Sequence, residues 1–349
     1  MKIKLLNQDI DWSPPKNWQK ILTLDYHTAG EPLRVILAGM PELPGDTILE
    51  KRRYIRDNYD HLRTTLMWEP RGHADMYGCL ITPAVTPQAD FGVLFLHNEG
   101  YSSMCGHGII AVSKAVLDLG LLPMTEPITS LKIDTPAGLV TSYARISADE
   151  VQCVYFHNVP SFVVKLDDLI DVPGLGKVRF DLAFGGAYYA FVDAEQLDLN
   201  LTPEQFQPLI EYGMKIKRAI MKDRQIVHPL DPDLSFLYGT IFTGPPLTPE
   251  GDSRNVCIFA DGEVDRSPTG TGVSARMAIH YQRGELKVNE SMVIESIIGT
   301  QFTGRVVEQV RFASYPAVVP EVEGSAYLTG RNEFYLDPAD PLKNGFFLR

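Results

Sequence analysis

Two segments of the chain repeat one another, and this constrains the fold more than any other feature of the sequence. Cys105-Gly106-His107-Gly108 runs into IIAVSKAVLDLG, and Thr269-Gly270-Thr271-Gly272 runs into VSARMAIHYQRG. Each segment sets one chemically capable side chain before a G-x-G turn and continues as a largely apolar helix. Each meets a glycine 15 residues on, Gly120 and Gly284, where a C-cap belongs. A strand-like run with a glycine turn lies upstream of each: LDYHTAGEPLRVI at 24–36 and FDLAFGGAYYAFV at 180–192. A helix that is apolar on most faces has to be covered all round. The repeat therefore predicts an α/β protein of two related halves, each a mixed sheet around a central helix.

The length of 349 residues suits two domains at roughly 150 residues each. Residues 21–160 are assigned to a first half bearing Cys105 and 161–325 to a second bearing Thr269. Residues 326–349 are expected to return to the first half, and residues 1–20, with Pro14, Pro15 and two tryptophans, to form an irregular arm. From Ile21 on, short β-rich runs alternate with turn signals: ILTLDYH, PLRVILAG, FGVLFLHN, VQCVYFHNV and YYAFVDA. The polar stretch from Glu204 to Arg224 has helical spacing. No stretch approaches the ~20 apolar residues that span a bilayer, and the N-terminus has no signal-peptide core, so a cytoplasmic location is expected. A net charge of -12 without a Lys/Arg run argues against nucleic acid or an anionic membrane as partner. Cys79, Cys105, Cys153 and Cys257 form no CxxC pair and have no histidine at ligand spacing, so neither zinc nor a disulfide framework is expected.

The chemistry then rests on the two turns. A helix N-terminus offers unpaired N–H groups and a partial positive charge, and glycines let a ligand approach the backbone. Two such termini on one interdomain cleft would hold a carboxylate without an arginine. The dipole should lower the Cys105 thiol pKa, and a cationic His107 would lower it further, giving a thiolate base; the alternative is an inert buried cysteine. Thr269 occupies the matching position, but a hydroxyl is no base near neutrality, and a threonine there can simply cap its helix. Asp265, four residues earlier, is either a solvated cap or a partner for a substrate ammonium. His27 and His73 receive supporting roles only. Gly270 to Ala275 also fits G-x-G-x-x-A, with Glu295 at a distance suited to a ribose contact. A nine-residue loop, 261–269, separates it from the strand-like NVCIFA, whereas a nucleotide turn follows its strand directly.

Six segments, taken together and in order, resemble the proline racemase family: D-Y-H-T-A-G-E-P-L-R-V, E-P-R-G-H-A-D-M-Y-G, M-C-G-H-G, D-L-A-F-G-G-A-Y-Y-A, D-R-S-P-T-G-T-G-V-S-A and E-S-I-I-G-T-Q-F-T-G. The resemblance implies a diaminopimelate epimerase-like fold, a homodimer, and no PLP, metal or nucleotide. Racemases of the family use two cysteines on opposite substrate faces. Cys105, His107 and Asp265 match their pattern, and the backbone N–H groups near Gly106, His107, Gly108, Gly270 and Thr271 are expected to hold the substrate carboxylate. The second cysteine is replaced by Thr269, which in this family marks enzymes that dehydrate trans-3-hydroxy-L-proline to Δ1-pyrroline-2-carboxylate. A racemase or hydroxyproline 2-epimerase is the alternative, and a catalytically inactive protein that binds proline-like ligands is a second.

Overall fold

The computed structural model describes residues 12–348. Residues 1–11, which carry most of the expected arm, and Arg349 lie outside the described residues. Trp12, within the described part of that arm, meets the Tyr335 ring edge-on at 5.5 Å.

Two matching sets of elements follow one another. The first is β1 (Gln19–Thr28), β2 (Glu31–Ala38), α1 (Ile48–Met67), β3 (Tyr77–Thr82), β4 (Phe91–His97), β5 (Tyr101–Ser102), α2 (Gly106–Asp118), β6 (Ile128–Thr135), β7 (Gly138–Ser147) and β8 (Glu150–His157). After β9 (Ser161–Val172) comes the second: β10 (Gly176–Phe184), β11 (Tyr188–Asp193), α3 (Phe206–Asp223), β12 (Leu237–Gly244), β13 (Ser253–Phe259), β14 (Glu263–Val264), α4 (Gly270–Gln282), β15 (Ser291–Glu295), β16 (Gln301–Phe312) and β17 (Tyr315–Gly324). β18 (Ala326–Leu336) follows.

The pairings correspond one for one. β1–β2 and β10–β11 are antiparallel hairpins. β2–β3 and β11–β12 are parallel, joined by crossovers that carry α1 and α3. β4–β6 and β13–β15 are parallel across α2 and α4. Parallel neighbours need such long connections, and a helix is the usual one. β9 pairs with β10, β18 with β1, and β17 contacts both β8 and β9. The sheets are mixed, and each wraps a central helix as the repeat predicts: α2 packs on β1, β2, β7 and β8, and α4 on β9, β10, β16 and β17.

The helix ends obey the sequence signals. Gly120 and Gly284 adopt φ of 64° and 74°, one residue past the C-caps Leu119 and Arg283. The helical spacing after Glu204 becomes α3. The 20-residue helix α1 was not expected. Its sequence is crowded with charge, and its apolar seam is only one residue wide: Ile48, Ile55, Leu62 and Leu66, all buried. A signal was nevertheless present. Thr47 accepts from the Glu50 N–H while the Glu50 carboxylate accepts from the Thr47 N–H, a capping box readable as T-I-L-E.

Candidate active site

The two G-x-G turns meet. A Cβ placed on Gly106 would lie 2.6 Å from the Gly270 Cα, and one on Gly270 would lie 2.7 Å from the Gly106 Cα. No side chain fits between them, so two helix N-termini share one contact point. Around it lies a small cavity of ≈ 20 Å³ lined by Tyr77, Met104, Cys105, Gly106, His107, Tyr189, Tyr238, Cys257, Phe259, Asp265, Thr269, Gly270 and Thr271. That is room for about one water.

Loops from each set of strands lock this contact by reaching into the other. Ser103 Oγ donates to the Gly186 carbonyl at 2.7 Å, and Asn158 Nδ2 to the Gly185 carbonyl at 2.7 Å. In the opposite sense, Thr300 Oγ1 donates to the Ala29 carbonyl, and Arg266 joins Glu31 through its backbone N–H at 2.8 Å and its Nε at 3.1 Å. Thr28 Oγ1 holds the His107 carbonyl at 3.0 Å. The H-T-A-G-E and F-G-G-A hairpins of the sequence thus act as mutual clasps.

Cys105 is the N-cap residue of α2, with extended φ/ψ, and its Sγ accepts from the Gly108 N–H at 3.2 Å. His107 Nδ1 lies 3.2 Å from the same sulfur. The expectation of a thiol poised low by the helix and by a cationic histidine is not met. Burial pushes the Cys105 thiol well up, against the lowering effect of the Gly108 N–H, and the Asp265 carboxylate pushes it further. Burial, with Arg266 nearby, draws His107 down to about 3, so its ring is neutral. The cause is desolvation: burial of both groups disfavours either charge more than one helix end can offset. The Pro32 backbone hydrogen-bonds the imidazole. Proline has no N–H, so the ring donates to the carbonyl and its other nitrogen is left as an acceptor.

Thr269 does not cap its helix. It makes no side-chain cap hydrogen bond, and it sits at φ 66° and ψ 91°, in a region that β-branched residues avoid. Its Oγ1 is buried and makes no well-formed hydrogen bond, although its closeness partly offsets the burial that raises the pKa values of Cys257 and Asp265. A strained backbone and an unsatisfied hydroxyl together cost several kcal/mol, roughly 1–3 for each. Both face the cavity. Asp265 is buried rather than a solvated cap. Burial raises its pKa, and its Oδ1 accepts from the Ser267 N–H at 2.7 Å. Thr271 Oγ1 is bonded to the Tyr189 hydroxyl at 2.7 Å.

Every site residue singled out in the sequence except Gly108, whose N–H caps into Cys105, lines this cavity. His27 stacks on Tyr327 and accepts from the Gly30 N–H, and exposed His73 bonds Ala74; neither reaches the cavity. Glu295 is also spent elsewhere: its carboxylate is bonded to the Leu247 and Thr248 N–H groups and to the Thr248 hydroxyl, so the dinucleotide reading has no acidic partner at α4. Sequence reasoning missed the aromatic wall of Tyr77, Tyr189, Tyr238 and Phe259, together with Cys257. Tyr77 and Tyr189 stand inside segments that had been marked, D-M-Y-G and G-G-A-Y-Y-A, but nothing in the alternation of a buried strand says which face meets a cavity. Away from this site, a polar cavity of ≈ 250 Å³ near the other end of α4 is lined by Arg276, Arg283, Asp167 and Asp181 among others, with Arg283 paired to both aspartates.

Residues 23–347 match the proline racemase family. A protein of Colwellia psychrerythraea named trans-3-hydroxy-L-proline dehydratase is 49% identical over 97% of this chain and 96% of its own length. One of Burkholderia multivorans named 3-hydroxyproline 2-epimerase is 44% identical over 95% of this chain and 99% of its own. A solved hydroxyproline epimerase from Agrobacterium vitis, with bound trans-4-hydroxy-L-proline, superposes with a TM-score of 0.89 at 36% identity, covering 95% of this chain and 96% of that one. Among the described residues no helix is long and apolar enough to cross a membrane.

Proposed function

Because the chain belongs to the proline racemase family, we propose that it dehydrates trans-3-hydroxy-L-proline to Δ1-pyrroline-2-carboxylate without a cofactor, with Cys105 as its acid/base. The observation that carries this reading is the asymmetry of the two turns: one thiol, Cys105, and across the Gly106–Gly270 contact one hydroxyl, Thr269.

The electrostatics favour an imino acid. Burial raises the pKa values of both Asp265 and the Cys105 thiol, and the Asp265 carboxylate raises that of Cys105 further. No cation lines the cavity. A secondary ammonium placed between them would relieve both and leave a carboxylate and a thiolate in place. The substrate carboxylate takes the N–H groups near Gly106, His107, Gly108, Gly270 and Thr271, where charge gathers as the Cα proton leaves.

In trans-3-hydroxy-L-proline the hydroxyl is trans to the carboxylate, so the Cα hydrogen and the hydroxyl share one ring face. The Cys105 thiolate takes the Cα proton, the C3–O bond breaks, and the same proton leaves on the hydroxyl as water. The thiolate is regenerated, and the enamine tautomerises to the cyclic imine. Neutral His107, its acceptor nitrogen against Sγ, orients the sulfur and receives the thiol hydrogen bond at rest. Thr269 offers its unsatisfied hydroxyl to the substrate and, unlike a cysteine at that position, gives its turn no second acid/base for reprotonation with inversion.

The relative named 3-hydroxyproline 2-epimerase favours a second reading, in which C2 inverts and the hydroxyl stays. Incubation with trans-3-hydroxy-L-proline separates them. The dehydratase yields a cyclic imine that traps with o-aminobenzaldehyde; the epimerase yields cis-3-hydroxy-D-proline on a chiral column. A ligand-dependent thermal shift with neither product marks an inactive binding protein. A cytoplasmic homodimer completes the proposal: all four cysteines are free thiols, as a reducing compartment keeps them, and the family resemblance supports the dimer. Light scattering on a sizing column measures the latter.

A further inference from the structure

The reaction cavity, at ≈ 20 Å³, is too small for a proline ring, and one of its walls has a second side. Tyr238 lines both this cavity and a neighbouring open pocket of ≈ 360 Å³. That pocket is built from both sets of elements. Arg52 on α1, His97 on β4 and Tyr101 on β5 form one side; Lys217 on α3, Phe236 and Tyr238 form the other. This mouth is open to solvent and lies against the other side of Tyr238. On the inner side, the Tyr238 hydroxyl lies 3.3 Å from that of Tyr77, which in turn bonds Ser102 Oγ.

Two cations face this mouth, and neither forms an ion pair with a carboxylate among the described residues. Arg52 bonds the Tyr101 carbonyl through Nη2, while its Nε is buried with no hydrogen-bond partner. Lys217 is only 8% exposed, yet its ammonium is held by a single protein acceptor, the Ala260 carbonyl. Burying charged donors and leaving them short of acceptors costs free energy, and the usual reason to keep them is a ligand that completes them. Opposite charge is also at hand: Glu99 lines the pocket, and Glu263 lies behind His97, 3.4 Å from its Nδ1, with both oxygens unbonded. A pocket with two unpaired cations and a nearby carboxylate matches a zwitterion. In a protein of net charge -12, it is also where an approaching carboxylate meets attraction rather than repulsion.

We infer that this mouth is an outer subsite, which captures the carboxylate of a small amino or imino acid between Arg52 and Lys217 before the molecule passes Tyr238 to Cys105. The inference rests on the reading of Cys105 as the reactive group, but it does not require that hydroxyproline be the substrate.

The test compares two alkylating probes of one size, anionic iodoacetate and neutral iodoacetamide, with the rate of Cys105 labelling followed by peptide mass spectrometry on the full-length protein. In Arg52→Gln and in Lys217→Met, iodoacetate labelling should slow about tenfold relative to wild type, the low end of the usual range for charge steering. Iodoacetamide labelling should change less than twofold, and added salt should narrow the wild-type preference. If trans-3-hydroxy-L-proline is a substrate, kcat/KM for it should fall in parallel while kcat holds. Equal changes with both probes, or none with either, overturn the subsite. Should Lys217→Met unfold, both probes will label it rapidly, and Arg52→Gln then decides alone. Turnover with a flat probe ratio sinks the subsite only; a preserved probe ratio without turnover sinks the hydroxyproline reading only.

Discussion

The two turns that meet at Gly106 and Gly270 have the same chain path and opposite local economies. The Cys105 turn is relaxed: extended φ/ψ, the side chain capping its helix through the Gly108 N–H, and a neutral imidazole 3.2 Å from the sulfur. The Thr269 turn is strained: φ of 66°, no cap, and a buried hydroxyl that bonds nothing well. A helix start that served only the fold would use a threonine hydroxyl as its cap, and the refusal here costs stability. Strain of this kind persists where the surroundings over-determine it, and it gathers at functional sites. The comparison teaches that the duplication supplied two equivalent helix N-termini and that the two turns differ in one side chain on each, which is where the proposed function places the chemistry.

The largest expected effect tests which turn holds the base. Cys105→Ser should lower turnover by at least ~10²-fold with the fold intact, because a hydroxyl is a far weaker base than a thiolate and the swap is nearly isosteric. A variant that keeps more than a tenth of wild-type activity, with an unchanged melting curve, would move the base elsewhere. The rate of the wild type should also rise with pH through the alkaline range, since burial has pushed the thiol up rather than down. A flat alkaline limb in kcat/KM would contradict this assignment.

The second effect sharpens the relaxed turn. His107 falls from an ordinary 6.5 to about 3 in the folded protein, so folding favours its neutral ring. The stability this represents is present above pH 6.5 and is lost as the pH falls from there toward 3. Glu31 and Asp265 work the other way, because their raised pKa values make acidification favour the fold as they protonate. The difference between wild type and His107→Asn isolates the histidine. Measured by chemical denaturation across pH 7 to 4, that difference should shrink by about 1.4 kcal/mol per unit at its steepest. A pH-independent difference would mean that His107 is not held neutral.

Third in size is the contact itself. Gly270→Ala would set a Cβ 2.7 Å from the Gly106 Cα, backbone against backbone, with nothing flexible to yield. Overpacking of that kind costs about 1–3 kcal/mol and would part the two helix ends. Turnover should fall more than tenfold, while Gly120→Ala, at a solvent-side C-cap with nothing within 4 Å, should cost stability and leave kcat alone. Equal losses of kcat in both variants would show that the Gly106–Gly270 contact has no special place in the chemistry.

Much of this was legible in the sequence because it was written twice. The repeated turn, apolar helix and closing glycine placed α2 and α4, and alternating apolar runs placed β1, β2, β4, β8 and β11. What the sequence withheld has physical causes. α1 hid its seam of Ile48, Ile55, Leu62 and Leu66 among charges that mask its apolar spacing, although Thr47 and Glu50 announce its start. Tyr238 and Phe259 belong to the site only because β12 and β13 are buried on both faces, so no alternation separates a cavity wall from the core. The protonation of Cys105 was misjudged because helix ends and neighbours can be read from a sequence, whereas desolvation depends on how the other half of the molecule closes over them.

The smallest expected effect is the most pointed. Thr269→Cys would give the strained turn the group that its relaxed counterpart already has. If that side chain alone decides between elimination and inversion, the new thiol faces the carbanion from the side opposite Cys105 and can return a proton there. Solvent deuterium should then enter L-proline at Cα, and some D-proline should appear, while dehydration survives in part because Cys105 is untouched. The gain should be slight. Catalytic geometry tolerates about 1 Å, and a space shaped by a threonine at φ 66° will not seat a sulfur perfectly. Stability should barely change, because Thr269 makes no cap bond to lose and cysteine keeps the Cβ that causes the strain. Proton NMR in D₂O at the proline Cα reads the outcome directly. If the variant folds, shows a ligand-dependent thermal shift, and exchanges no faster than wild type, then residue 269 does not sit across the substrate from Cys105, and the two turns differ for some reason other than catalysis.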